Sequence, residues 1–174
     1  MKSLRLIIIT MLISCNNNEP RYPLNYTKDD NSTLISQIIT DQNKKIDDYI
    51  SKNLENNYLN SKKGFFYFFQ KTNDLTSKKA EFGDIIMFNY SVKDLENNLI
   101  YEEEFIGDQS YIMGKQEIIT GLREALQLLK NGEIATFIFP SYKAYGIYGD
   151  NNKIPPNTAI ICTIKVKSIN SNQN

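Results

Sequence analysis

The chain has 174 residues, with twenty Lys and Arg balanced by twenty Asp and Glu, no His, no Trp and two Cys. A zero formal charge lacks the basic excess of a nucleic-acid binder. Without imidazole there are no His triads, His metal sites or His acid–base chemistry, and two Cys are too few for a Cys-rich zinc site.

Lys2 and Arg5 lead into an apolar run, Leu6 to Ile13, that closes on Ser14-Cys15. The run is about half the length that spans a bilayer, so residues 1–14 read as an export signal rather than a transmembrane helix. Leu12-Ile13-Ser14-Cys15 resembles a bacterial lipobox, which implies cleavage before Cys15 and a diacylglycerol on its thiol; a general secretory signal with an incidental Cys is the alternative. With Cys15 acylated, Cys162 stands alone and no intramolecular disulfide is available in an oxidising compartment. Residues 15–31 are polar, hold Pro20 and Pro23 and bury little, so they are expected to be a flexible tether.

Asn31 or Ser32 is placed to cap a helix running to about Asn53. Ile35, Ile39, Gln42, Ile46, Tyr49 and Ile50 share one helical face, with acids and lysines opposite. Such a stripe packs on its own domain or, within 32–54, serves self-association or a partner. With the Asn-rich linker, this unit extends to residue 63.

From Gly64 the period changes. Phe65 to Gln70, Asp84 to Val92, Leu99 to Phe105, Glu133 to Phe139 and the alternating Ile160, Cys162, Ile164 and Val166 predict strands. Asp94 to Asn98 predicts a turn. Ile118 to Leu129 predicts a short helix with Leu122, Leu126 and Leu129 inward, stopped by Asn131-Gly132. Four or five strands with one helix between them predict an α+β fold: an antiparallel sheet over residues 64–170, with 171–174 a tail.

Gly114-Lys115-Gln116-Glu117-Ile118-Ile119-Thr120-Gly121 resembles the most distinctive sequence of the FKBP-type peptidyl-prolyl cis–trans isomerases. Ala144-Tyr145-Gly146, Ile154-Pro155-Pro156-Asn157 and Asn89-Tyr90-Ser91 resemble further motifs of that family, in the same order and at fitting spacing. The layout of lipobox, helix and domain also resembles the gliding-motility-associated FKBP-type lipoproteins of Bacteroidetes. The resemblance implies a half-barrel sheet wrapped around a short helix, with an apolar cleft between them. It implies catalytic contacts from the Tyr145 hydroxyl and the Ile119 backbone N–H, and cleft positions at Tyr90, Ile100, Tyr101, Tyr111, Ile118, Leu122 and Cys162. No metal or other cofactor is needed.

Several rings of the family pattern are missing. Leu122 stands where the family has a tryptophan, Ile100 replaces an aromatic residue, Tyr101 an Asp, and Gln109 and Cys162 phenylalanines. Less apolar area then faces a prolyl ring, at about 25 cal/mol per Å2. Tyr142 and Tyr148, with Gly146 and Gly149, belong to a loop that either covers the cleft or is solvated. Glu102-Glu103-Glu104 alternates in direction along a strand and reads as a solvated edge.

Two functions are therefore carried forward. One is a prolyl isomerase that assists exported, proline-containing polypeptides. It would be held by lipid on Cys15 in the envelope of a Gram-negative bacterium, at the outer membrane facing the periplasm, with a possible link to gliding motility. The other is a catalytically weak FKBP-like chaperone or assembly module.

Overall fold

Side-chain alternation along the strands gives the sheet two apolar faces, and each is covered by a different helix. The computed structural model describes residues 28–73 and 78–171. The expected signal peptide, Cys15, most of the tether and the last three residues lie outside them.

Among the described residues seven strands form one antiparallel sheet. They are β1 (Leu59–Asn60), β2 (Phe66–Lys71), β3 (Ile85–Lys93), β4 (Leu99–Tyr101), β5 (Gln109–Ile112), β6 (Ile134–Phe139) and β7 (Ile160–Asn170). The order is β1-β2-β6-β7-β3-β4, with β5 also paired to β3, so the sheet stays open. Helix α1 (Lys28–Lys52) precedes it; α2 (Glu103–Ile106) and α3 (Thr120–Leu126) lie between strands.

On the inner face, Phe65, Phe88, Phe137, Phe139, Cys162 and Ile164 pack with Leu122, Ala125, Leu126 and Leu129 from α3 and the segment after it. Tyr67 and Phe137 are register partners on β2 and β6, and their rings stack at 5.6 Å. Full burial of each Leu or Phe contributes about 1.5–3 kcal/mol, so this face holds most of the stability. Gly121 permits the close approach of α3: a Cβ there would sit 2.8 Å from the Phe139 ring and 2.9 Å from the Lys143 carbonyl oxygen.

On the outer face, Ile46 of α1 packs with Ile138, Ala159 and Ile161, flanked by Tyr49, Ile50, Tyr58, Phe66 and Leu95. The expected stripe of α1 thus packs on its own domain over Gln42, Ile46, Tyr49 and Ile50, whereas Ile35 stays 53% exposed. At the end of the helix the Asn53 side-chain amide donates to the Tyr49 carbonyl at 2.7 Å, which occupies an acceptor the last turn would otherwise leave free.

Four local expectations need correction. Helix α1 starts at Lys28, so Asn31 and Ser32 lie inside it rather than capping it, and residues 28–31 of the expected tether belong to the helix. Strand β4 ends at Tyr101, and Glu103–Ile106 is a helical turn, so the three acids open a helix instead of alternating along an edge. Acidic side chains suit that position, where free backbone N–H groups point. Helix α3 ends at Leu126 with Gln127 as its cap. Gly132, at φ +79°, instead shapes the turn into β6, where the Glu133 N–H donates to the Lys130 carbonyl. Strands β1 and β5 are the two that the pattern did not announce.

Candidate active site

The nine cleft positions expected from the sequence all belong to the inner cluster or pack against it, while Cys15 lies outside the described residues. Tyr111 of β5, Leu122 of α3 and Cys162 of β7 are buried in the inner cluster. Tyr90 of β3, Ile100 and Tyr101 of β4, Ile118, Ile119 and Tyr145 are half-buried and pack against it. The first three are buried, and the other six keep part of their surface exposed. Cys162 packs as a small hydrophobe, and burial pushes its thiol pKa up, away from reactivity. The Tyr111 hydroxyl accepts the Gly114 N–H at 3.3 Å, which ties β5 to the turn before α3.

Ile119 has an extended backbone (φ −54°, ψ 139°) at the head of α3, and its carbonyl accepts the Arg123 N–H. Among the described residues no acceptor takes the Ile119 N–H. That follows from its position, since the first N–H groups of a helix have no partner within it.

Tyr145 follows a 3-10 turn, Ser141–Lys143, that begins after Pro140 stops β6. This turn is held on α3 by Lys143, whose ammonium contacts both Glu124 carboxylate oxygens at 2.8 and 3.0 Å. Gly146, at φ +62°, closes the turn by donating its N–H to the Ser141 carbonyl. Among the described residues the Tyr145 hydroxyl has no hydrogen-bond partner. Burial, then the nearby Tyr90 and Cys162, raises its pKa well above that of a free phenol. Tyr90 is pushed up to about 12, again mainly by burial. At neutral pH Tyr145 is therefore a hydrogen-bond donor and not a base.

The loop after Tyr145 is fixed by residues that the sequence reading did not single out. Asp150 accepts the N–H groups of Asn152 and Ile154 on one oxygen and the Tyr101 hydroxyl, at 2.5 Å, on the other. Burial alone would raise the Asp150 pKa, but the bonds from Tyr101, Ile154 and Asn152 outweigh it and hold the carboxyl below its usual range. Lys153 donates to the Ile100 carbonyl at 3.3 Å and lies over the stacked rings of Tyr101 and Phe105, 5.2 and 5.3 Å from their centroids. The usable signal was Asp150-Asn151-Asn152, a side chain suited to a turn that binds its own backbone. Tyr142 does not face the cleft: its hydroxyl donates to the Gly64 carbonyl, and it lines a groove with Asn43, Ile46 and Asp47 of α1.

The arrangement is a set of half-buried apolar side chains that includes two unengaged donors, the Ile119 N–H and the Tyr145 hydroxyl, able to orient carbonyl groups beside a bound apolar ring. A family model described as FKBP-type peptidyl-prolyl cis-trans isomerase matches residues 76–167, more than half of the chain. The chain belongs to the FKBP family. Among its FKBP relatives, the probable FKBP-type peptidyl-prolyl cis-trans isomerase FkpA of Neisseria meningitidis serogroup B is 40% identical over 58 residues, 33% of this chain and 21% of that protein. FK506-binding protein 2A of Rhizopus delemar is 32% identical over 59 residues, 34% of this chain and 35% of its own length. A probable FKBP-type isomerase of Haemophilus influenzae is 29% identical over 87 residues, covering 50% of this chain and 36% of that protein. The chain thus spans between about a fifth and a third of the curated relatives it matches.

The FKBP fold extends further than the sequence likeness. A peptidyl-prolyl cis-trans isomerase of Pseudomonas syringae superposes with a TM-score of 0.63 at 16% identity, covering 78% of this chain and 96% of its own. FkpA from Escherichia coli gives 0.62 at 18%, covering 82% and 66%.

Proposed function

We propose that this FKBP domain, spanning residues 64–170, isomerises X–Pro bonds of exported polypeptides in the hollow walled by Tyr90, Ile119 and Tyr145. The observation that carries the proposal is that two donors with no protein acceptor, the Ile119 N–H and the Tyr145 hydroxyl, belong to residues packed against one apolar cluster together with Tyr90.

The uncatalysed rotation meets a barrier of about 18–20 kcal/mol because amide resonance must be broken. At the top of the barrier the nitrogen has lost conjugation and the carbonyl is less polar. A hollow that receives the proline ring disfavours the charge-separated planar amide and accommodates the twist, while fixed donors orient the neighbouring carbonyls. Stabilising the twisted form more than the planar ones lowers the barrier without proton transfer or a nucleophile. Each tenfold gain needs about 1.4 kcal/mol, within reach of a small site. A protease-coupled assay of residues 16–174 with Leu-Pro and Phe-Pro peptides tests this; no acceleration over the peptide alone removes the catalytic claim.

Anchoring by lipid on Cys15 is supported by Leu12-Ile13-Ser14-Cys15 behind an apolar run. Among the described residues no helix is long and apolar enough to cross a membrane. Labelled palmitate should enter the wild type and not Cys15→Ala, and equal labelling sinks the lipid anchor. Placement at the outer membrane facing the periplasm is part of the same proposal and has no support beyond that segment, with residues from 15 up to α1 as the tether. A role in gliding motility is supported by resemblance of layout alone.

The second reading is a binding or assembly module with little catalysis. It is favoured by the exposed Phe105, Ile147 and Tyr148, at 71, 58 and 76%, which offer apolar contact outside the hollow. Suppressed aggregation of an unfolded protein, with no isomerase rate, separates it from the first.

A further inference from the structure

Helix α1 lies on the opposite face of the sheet from the hollow, yet one of its side chains reaches the loop that carries Tyr145. Gln42 is only 6% exposed. Its side-chain oxygen accepts the Ser141 N–H at 2.7 Å, and its side-chain nitrogen donates to the Asn157 carbonyl at 2.8 Å. The orientation of the amide is fixed by its partners, since a backbone N–H only donates and a carbonyl only accepts. Ser141 and Asn157 are the two feet of the loop. They meet again through Gly146, whose N–H donates to the Ser141 carbonyl and whose carbonyl accepts the Asn157 N–H. Tyr145 sits one residue before that junction. Asn157 is also held at φ +54°, a left-handed backbone that Asn tolerates but does not require.

We infer that Gln42 is a positioning residue for the active site: α1 fixes the loop feet through this amide and thereby sets where the Tyr145 hydroxyl points. A carboxamide carries a neutral donor and acceptor on one planar group, and Gln has a longer stem than Asn to reach two backbones from a helix. The inference rests on the role proposed for Tyr145 and makes α1 part of the catalytic apparatus rather than a spacer.

The test uses the full chain. Gln42→Met keeps the length and removes both bonds; Gln42→Glu keeps the acceptor for Ser141 and loses the donor to Asn157, and it covers the case of a Met variant that fails to fold. Two measurements are made: hydrogen exchange at the Gly146 and Asn157 amides, and kcat/KM in the wild-type and Tyr145→Phe backgrounds. The expected result is faster exchange at both amides and a roughly tenfold lower kcat/KM in the wild-type background. That loss should shrink when Tyr145 is already Phe, because the two residues act through one contact. Unchanged exchange, or an equal loss in both backgrounds, overturns the inference. If Tyr145→Phe alone leaves kcat/KM unchanged, the proposed site is what fails, and the exchange rates still decide whether Gln42 positions the loop.

Discussion

The Tyr101 hydroxyl donates to the Asp150 carboxylate, and this contact ties β4 to the loop that carries Tyr145. The same carboxylate accepts two backbone N–H groups from its own loop, so one side chain both folds the loop and fastens it. Asp150→Asn removes the charge while nearly preserving shape. It should lower kcat/KM about threefold to tenfold by loosening the loop, and Tyr101→Phe should lower it by less. Steady-state kinetics on a Phe-Pro peptide checks both; a Tyr101→Phe effect larger than that of Asp150→Asn would mean the phenol acts on substrate directly.

The pH dependence of that latch follows from its sign. The Asp150 carboxyl titrates below the ordinary range of an Asp, so the folded state favours the charged form. Its contribution is complete above about pH 4, the value of an unperturbed Asp, and is lost as pH falls through the lower folded pKa. Loop protection in hydrogen exchange should therefore hold down to about pH 5 and fade only in stronger acid. A midpoint near pH 6 would contradict it.

Tyr145→Phe deletes one unengaged donor and leaves the ring. It should lower kcat/KM roughly tenfold, about 1.4 kcal/mol, with little change in Tm because no protein hydrogen bond is lost. Thermal melting beside the kinetics separates a site effect from general destabilisation.

Tyr145 and Tyr90 both have raised pKa values, chiefly through burial, so folding favours the neutral phenols. Unfolded tyrosines ionise near pH 10, so the stability that depends on these two groups is complete below that pH and declines as pH rises above it. Activity should be flat from about pH 6 to 9, since no His titrates there. A bell-shaped profile across that range would require an ionising group in the mechanism.

Gly121→Ala should destabilise the domain by about 1–3 kcal/mol, because the added methyl group would press on the Phe139 ring and the Lys143 carbonyl. Urea denaturation gives the value directly. A neutral substitution would mean that α3 can shift away from β6 without loss.

The inner face was legible because period-two patterning is strong there. Phe88, Tyr90, Cys162 and Ile164 alternate with residues that the sheet turns outward, and the four motifs fell at matching intervals. Strand β5 was missed because Gln109–Ile112 is short and follows a helical turn, and its pairing with β3 is a long-range choice that local propensity does not encode. Helix α2 was misread because Glu102 to Glu104 has no apolar period to choose between strand and turn. Asp150 and Gln42 escaped for a different reason. Each makes a contact distant in the chain, 49 residues apart for Asp150 and the Tyr101 hydroxyl and 99 for Gln42 and the Ser141 N–H, and no spacing rule announces such contacts.

Helix α1 is 25 residues long, about 38 Å at 1.5 Å per residue, and only its second half rests on the sheet. Residues 32–38 are exposed, and they lie on the Cys15 side of Gln42. Those turns therefore stand clear of the sheet as the free arm of a lever whose fulcrum is the packed half of the helix. A displacement of those turns is levered on the sheet through Ile46 and on the Tyr145 loop through the Gln42 amide.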